Sequence, residues 1–222
     1  MPILIFLLSP PCNPSCSSAP ETPHHPLLSG QEAWEVRAVL LLWLSLLLTV
    51  PFDLSALSSG TSTLEDLISQ YPTFDRPSLN VLFKRSPSQI SAQVTLLALP
   101  LLHRPGKEGS YAALVLARLF SRTDAVRHLS DFLDWIATEL EAGEREGEAH
   151  FVAALLEFLA IMPSLLPHEH LGLLEAFMGD KLLPHLRGGR TAASSGLVRK
   201  LSVKARGRWW VAKLGHHYTE GG

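Results

Sequence analysis

Thirteen consecutive residues without a charge, Ala38 to Val50, set the first limit on what this chain can become. A bilayer span needs about 20 apolar residues, and runs of about 10–14 more often mark buried helices. Glu35 and Arg37 close one end of the run, and Pro51 and Asp53 close the other. Lengthening it would therefore drag charges into hydrocarbon, where they are costly. Glu35, Ala38, Leu42, Ser45 and Thr49 recur at spacings of three and four, so small and polar residues share one helical face. The remaining circumference is Leu, Val and Trp. The pattern predicts an inner helix over Trp34–Val50, sandwiched between other helices, rather than a membrane span.

The rest of the chain offers enough material for such a core. It has 222 residues, 46% of them apolar and 18% charged, so much hydrophobic surface must be hidden. A net charge of −2 exerts no global pull on nucleic acid or anionic membrane. Both cysteines, Cys12 and Cys16, precede the helical part, which excludes a disulfide framework there and fits a reducing compartment. With His24 and His25 they would make four zinc ligands, but the intervening prolines favour an incidental loop. Met1 to Leu8 is apolar but lacks a basic start, and six prolines follow between residues 9 and 30. Residues 1–30 read as a disordered Pro/Ser-rich leader, with a cleaved signal peptide as the alternative.

Beyond Pro51 the punctuation is helical throughout. Ser62-Thr63-Leu64-Glu65 has capping-box spacing and predicts a short helix over 64–70. Residues 71–85, with Pro72 and Pro77, read as irregular. Ser86-Pro87-Ser88-Gln89 is a second start, with Ser86 as the N-cap, and Ile90, Val94, Leu97 and Leu101 share a face. A helix over 110–121 follows. Thr123-Asp124 is expected to cap the next helix, which turns Val126, Leu129, Phe132, Leu133, Ile136 and Leu140 inward and Arg127, Ser130, Asp131, Asp134 and Thr138 outward. Glu139 to Glu148 reads as an exposed acidic turn. Further helices are predicted over 151–162, 168–178 and 191–206. No run alternates like a strand. Helices of this length joined by short Pro- or Gly-marked turns imply an all-α fold of antiparallel helix pairs, a HEAT/armadillo-like solenoid over 31–206. Residues 207–222 read as a divergent, flexible tail.

Nothing in the chain assembles a nucleophile, a base and an orienting group. Phosphate-loop, dinucleotide, zinc-protease and hydrolase-elbow motifs are absent from the sequence. His168-Glu169-His170 reads as a polar helix entry, and His216-His217 as solvated. The expectation is therefore a non-enzymatic protein with no cofactor and no metal. One charge block stands out. Arg199, Lys200, Lys204, Arg206, Arg208 and Lys213 occur between Leu197 and His216 with no acid among them, around Trp209-Trp210. The block reads either as a solvated face or as a docking patch for an acidic protein, carried by Arg199, Lys200, Lys204, Arg206 and Arg208. Nucleic acid is disfavoured, since no second basic stripe matches it.

Three segments carry a family resemblance. The first joins Trp34-Glu35-Val36-Arg37 through Trp43-Leu44-Ser45 to Val50-Pro51-Phe52-Asp53-Leu54. The second runs Ala112 to Asp124 and continues in Phe132-Leu133-Asp134-Trp135; the third is Leu197 to Lys204. In order and spacing they resemble tubulin-folding cofactor D, a family of large HEAT-repeat chaperones for β-tubulin. Trp34, Arg37, Trp43, Pro51, Phe52, Asp53 and Trp135 mark the resemblance; the tryptophans are expected to fill inter-helix space and Pro-Phe-Asp to form the turn. Family members run to well over a thousand residues, so the resemblance covers one central stretch of repeats.

The resemblance implies a cytoplasmic, microtubule-associated chaperone that helps assemble and take apart the tubulin heterodimer. Its implied partners are β-tubulin, cofactors C and E, and an ADP-ribosylation-factor-like small GTPase. GTPase activation belongs to that assembly, and the family places no catalytic residue on this chain. The residues alone leave open a generic armadillo-like adaptor, a small membrane-anchored protein, or an enzyme with a cryptic site.

Overall fold

The computed structural model describes residues 34–57, 63–69, 76–141, 148–184 and 195–220. Nine α-helices occur among them: α1 (Trp34–Leu47), α2 (Leu64–Ser69), α3 (Arg76–Leu82), α4 (Gln89–Leu102), α5 (Lys107–Phe120), α6 (Leu129–Glu141), α7 (Glu148–Leu165), α8 (Leu171–Phe177) and α9 (Gly196–Glu220). The described residues contain no strand, and no described helix is long and apolar enough to cross a membrane. The leader 1–30, with the candidate zinc ligands, and 142–147 lie outside the described residues; the described ends of the expected acidic turn at 139–148 are helical, 139–141 closing α6 and Glu148 opening α7.

Several helix starts fall where local chemistry places them, with small shifts from the expected positions. Thr63 Oγ1 accepts from the Asp66 amide at 3.2 Å while the Asp66 carboxylate accepts from the Thr63 amide at 2.9 Å. This reciprocal cap sits one residue later than the expected box. The N-cap of α4 is Ser88, not Ser86, with its hydroxyl accepting from the Ser91 amide at 3.2 Å. Helix α3 corrects the irregular reading of 71–85. Its Pro77 lies in the first turn, where the missing amide is one of the orphan donors and costs nothing. Thr123-Asp124 does not cap α6, because a 3₁₀ turn (Val126–His128) intervenes. The expected 168–178 helix is a 3₁₀ turn at His168–His170, then α8, then a π turn at Met178–Leu182.

Helix direction establishes the architecture. Helix α5 packs between α1 and α7, and α7 packs on α9. Arg37 meets Glu108 near the start of α1 and α5, whereas Leu48 meets Arg122 past their ends, so the two helices run parallel. Lys107 and His150 share one cavity and Ser121 and Leu165 another, which makes α5 and α7 parallel too. Leu197 lines the cavity of Lys107 and His150 at the starts of their helices while Arg208 reaches Ala160 further along, which extends the parallel row to α9. The second layer is antiparallel to this row: α4 returns on α5 through a tight turn, and Phe132 and Trp135 of α6 meet Phe158 and Phe151 of α7 in reverse order. Stacked antiparallel pairs whose equivalent helices run parallel are the geometry of an armadillo-like solenoid.

The two layers are joined by an aromatic column. Phe132 stacks on Phe120 at 4.6 Å and meets Phe158 edge-on at 5.2 Å, while buried Trp135 meets Phe151 edge-on at 6.1 Å. Offset and edge-on rings of this kind add about 0.5–1.5 kcal/mol per pair beyond their area. Trp135 thus fills inter-helix space as expected. The α4–α5 turn is equally tight: Gly106 has φ +75°, and a Cβ on Gly109 would lie 2.6 Å from the Arg104 carbonyl.

Helix α1 departs from its expected setting. Part of its small-residue stripe faces inward: Ala38 and Ser45 are buried against the neighbouring helix alongside Leu41, Leu44 and Leu48, while Glu35 and Thr49 at its ends are exposed. Trp34 and Trp43 point to solvent, Trp43 being 60% exposed, and Phe52 is also exposed. Among the described residues the helix is the edge of the parallel row and is not sandwiched between two layers. Small residues allow the close approach of helix backbones, so the stripe marks the packing seam and not the outer face.

Candidate protein-interaction site

Two groups of cations distinguish the surface from the interior. The first belongs to the seam between α1 and α5. Arg37 Nε donates to the Glu108 carboxylate at 2.6 Å, with both side chains nearly buried. One turn from the end of α1, Arg118 Nη1 donates to the Ser45 carbonyl at 2.9 Å. Arg122 then closes the corner: Nη1 donates to the carbonyls of Leu48 and Val50 at 2.7 Å each, and Nη2 to that of Phe52 at 2.5 Å. These carbonyls lie where a helix end leaves acceptors without intrahelical partners. A guanidinium at that place also faces the negative end of the α1 dipole.

Asp124 completes the clamp. Its Oδ1 accepts from Arg122 Nε at 2.9 Å and its Oδ2 from the Leu54 amide at 2.8 Å. Burial pushes the Asp124 carboxyl up, but the Arg122 and Leu54 hydrogen bonds outweigh it and hold the group below the ordinary carboxylate range. Asp53 turns its own Oδ1 to the Ser55 amide at 2.7 Å, forming the turn into the 3₁₀ segment Leu54–Leu57. Val50-Pro51-Phe52-Asp53-Leu54 is therefore held by Arg122 and Asp124, seventy residues away. Two sequence segments that looked unrelated in role are the two halves of one joint.

The second group lies on α9. Val198, Leu201 and Ala205 bury one face of that helix, chiefly against α7. Arg199, Lys200, Lys204 and Arg206 lie exposed on the other side. None of the four has a side-chain partner among the described residues, whereas Arg37, Lys84, Arg85, Arg118, Arg122 and Lys213 all do. Arg208 belongs with the second set. It is exposed but donates to the Ala160 carbonyl at 3.1 Å and ties α9 to α7, so unlike the other four expected patch residues it also has a partner within the fold. Lys213 is likewise occupied, by Glu175 at 2.7 Å and over the Trp209 ring at 5.1 Å. The boundary expected at residue 206 falls within α9, which continues to Glu220.

Other sequence candidates disperse. His170 Nε2 lies 3.3 Å from the adjacent Glu169 carboxylate on an exposed 3₁₀ turn. Among the described residues no group of three or more His, Cys, Asp or Glu is placed to hold a metal. Asp134 is exposed and pairs with Lys84 at 2.8 Å, but Asp131 is buried, contrary to its expected outward position. Its Oδ2 and the Nδ1 of nearby His128 are both buried without a hydrogen-bond partner. The sequence reading missed Glu108, Arg118, Arg122 and Asp124 as partners of α1. A cation in the last turn of α5 signals a helix end in general, not the carbonyls it would reach.

The comparison that decides the family concerns the stretch built around this joint. A family model described as tubulin-specific chaperone D-like, ARM repeat, matches residues 15–140, more than half of the chain. The chain belongs to the tubulin-specific chaperone D-like ARM-repeat family. Both halves of the clamp, Val50–Leu54 and Arg122–Asp124, fall inside the matched region, as does Trp135. The α9 cations lie beyond it. No solved structure matches the chain.

Proposed function

We propose that the chain is a cofactor D-like chaperone scaffold that binds β-tubulin and supports assembly and disassembly of the tubulin heterodimer, and thereby microtubule biogenesis. The observation that carries this reading is the family match over the row of helices that Arg37, Arg118 and Arg122 lock together. A rigid row of parallel helices is a surface for a partner protein, and the chain's role is binding, not catalysis. GTP hydrolysis by tubulin would be stimulated only within the larger assembly, with cofactors C and E and the ADP-ribosylation-factor-like GTPase. The site of action is then the cytoplasm and its microtubules. Arg199, Lys200, Lys204 and Arg206 supply the patch that meets the acidic partner.

Size-exclusion chromatography of the full chain mixed with αβ-tubulin and the GTPase, at moderate salt, tests the reading. Co-elution with tubulin is expected. A folded chain, verified by circular dichroism, that elutes alone at every salt concentration would sink it.

A further inference from the structure

The outer face of α9 carries more than charge. Arg199, Val203, Arg206, Trp210 and Leu214 follow one another at spacings of four, three, four and four, a single line along the helix. Val203 is 71% exposed and Trp210 50%, and Val211 and Leu214 beside them are open to solvent as well. Along the helix Arg199, Lys200, Lys204 and Arg206 precede the exposed apolar group Trp210, Val211 and Leu214, with Val203 set among the cations and Lys213, paired with Glu175, among the apolar residues.

Arg199 and Lys200 occupy the first turns of a helix that has no acid there. The macrodipole makes that end positive already, so cations in this position oppose it and cost stability. No carboxylate of the chain answers them among the described residues. The result is a concentrated positive field at one end of a 16-residue line, Arg199 to Leu214, about 22 Å long, with an exposed indole toward the other.

We propose that this face seats an acidic amphipathic segment of a partner protein, its carboxylates toward Arg199, Lys200, Lys204 and Arg206 and a bulky apolar residue against Trp210 and Leu214. The inference rests on the docking reading above and gives it a chemistry and a direction. Charge complementarity demands the acids. The open indole and aliphatic groups gain only by covering apolar atoms, which a phosphate backbone does not offer. A bilayer fits less well, because Val203 lies on the same line between two guanidinium groups and cannot enter acyl chains without them. A partner helix with acidic and apolar residues alternating at three and four spacings meets both demands at once.

Two synthetic 20-residue peptides of identical composition provide the test with the full chain. One sets Glu and Leu along a single helical face and the other scrambles them; vesicles of phosphatidylserine and phosphatidylcholine are the third probe. The patterned peptide is expected to bind at least about tenfold tighter than the scrambled one, with added salt weakening it. Reversal of the four cations (Arg199→Glu, Lys200→Glu, Lys204→Glu, Arg206→Glu) should abolish that binding, and Trp210→Ala should weaken it by about tenfold or more. All these side chains are exposed, and circular dichroism checks that each variant is folded. Equal binding of both peptides, or a Trp210→Ala variant that binds like the parent, would leave only a featureless charge patch and overturn the proposal. Vesicle binding without patterned-peptide binding would overturn it in favour of a lipid surface. Patterned-peptide binding together with no tubulin binding would keep this inference and remove tubulin as the partner.

Discussion

Arginine does opposite work at the two places where this chain concentrates it. At the α1–α5 seam, Arg37, Arg118 and Arg122 are largely withdrawn from water, and every one reaches a carboxylate or a helix-end carbonyl. On α9, Arg199 and Arg206 stand in solvent with no partner among the described residues, and Arg199 lies in the first turn of a helix whose dipole opposes it. The first arrangement offsets desolvation by filling donors, and the second leaves electrostatic potential unspent. A cation whose hydrogen bonds are satisfied internally holds the fold together, and one held apart from every carboxylate is available to something outside.

The largest effect that would break this contrast is predicted for Arg122. Arg122→Ala removes donors from three carbonyls and leaves the Asp124 carboxylate short of its main partner. Breaking a buried pair in this way costs about 3–5 kcal/mol, against less than about 0.5 kcal/mol for an exposed site such as Arg199→Ala. Urea unfolding followed by circular dichroism measures both. Arg122→Lys should recover only part of the loss, since a point charge cannot reproduce the planar fork that reaches several acceptors together. Equal midpoints for Arg122→Ala and Arg199→Ala would erase the distinction.

The turn that aligns α4 under α5 gives the next effect. Gly109→Ala would place its Cβ 2.6 Å from the Arg104 carbonyl. Backbone cannot move aside as a flexible side chain can, so a loss of about 1–3 kcal/mol is expected in the same unfolding measurement. Gly172→Ala, where nothing lies within 4 Å, should instead leave the midpoint unchanged or raise it slightly by the helix propensity of alanine. Similar losses at both glycines would mean that the close approach at Gly109 is not what fixes this turn.

Helical class, stacked pairs and the inward face of α6 were legible in the sequence because periodicity and capping residues are local signals. The setting of α1 was not. An apolar run reads the same whether a helix is sandwiched or at an edge, and only neighbours decide which of its faces is covered. Ala38 and Ser45 read as part of a stripe of small and polar residues beside a Leu, Val and Trp surface, yet smallness is what a close helix seam requires. Pro77 looked like a breaker because the first turn that tolerates it is visible only once the helix is in place. The basic block was legible as composition, but its sorting into free residues and the occupied Arg208 and Lys213 depended on Ala160 and Glu175, far away in the chain.

On α9 the expected sign reverses. Arg199→Glu places an acid near the start of a helix, which the macrodipole favours, and removes a cation from a cluster of like charges. The variant should unfold about 0.3–1 kcal/mol later than the parent while binding the patterned acidic peptide more weakly. Gain of stability with loss of binding is the mark of a residue kept for a partner. A variant that loses both would assign Arg199 to the fold, alongside Arg122.

The smallest effect concerns the buried His128–Asp131 neighbourhood at the start of α6. Burial, then the adjacent Arg127 guanidinium, and to a lesser degree Arg85, lower the His128 pKa, and the Asp131 charge opposes them only in part. The folded chain therefore holds His128 neutral to lower pH than the unfolded chain, whose imidazole titrates near about 6.5. Between those two values the unfolded state binds the extra proton, so stability rises with pH. The contribution is complete above the unfolded value and is lost as pH falls through it toward the lowered one. A shallow fall in the unfolding midpoint is expected as pH drops below about 6.5. His128→Gln, which cannot take up a proton, should flatten that slope. A slope that the substitution leaves intact would mean that it does not originate in the packing around His128 at the start of α6.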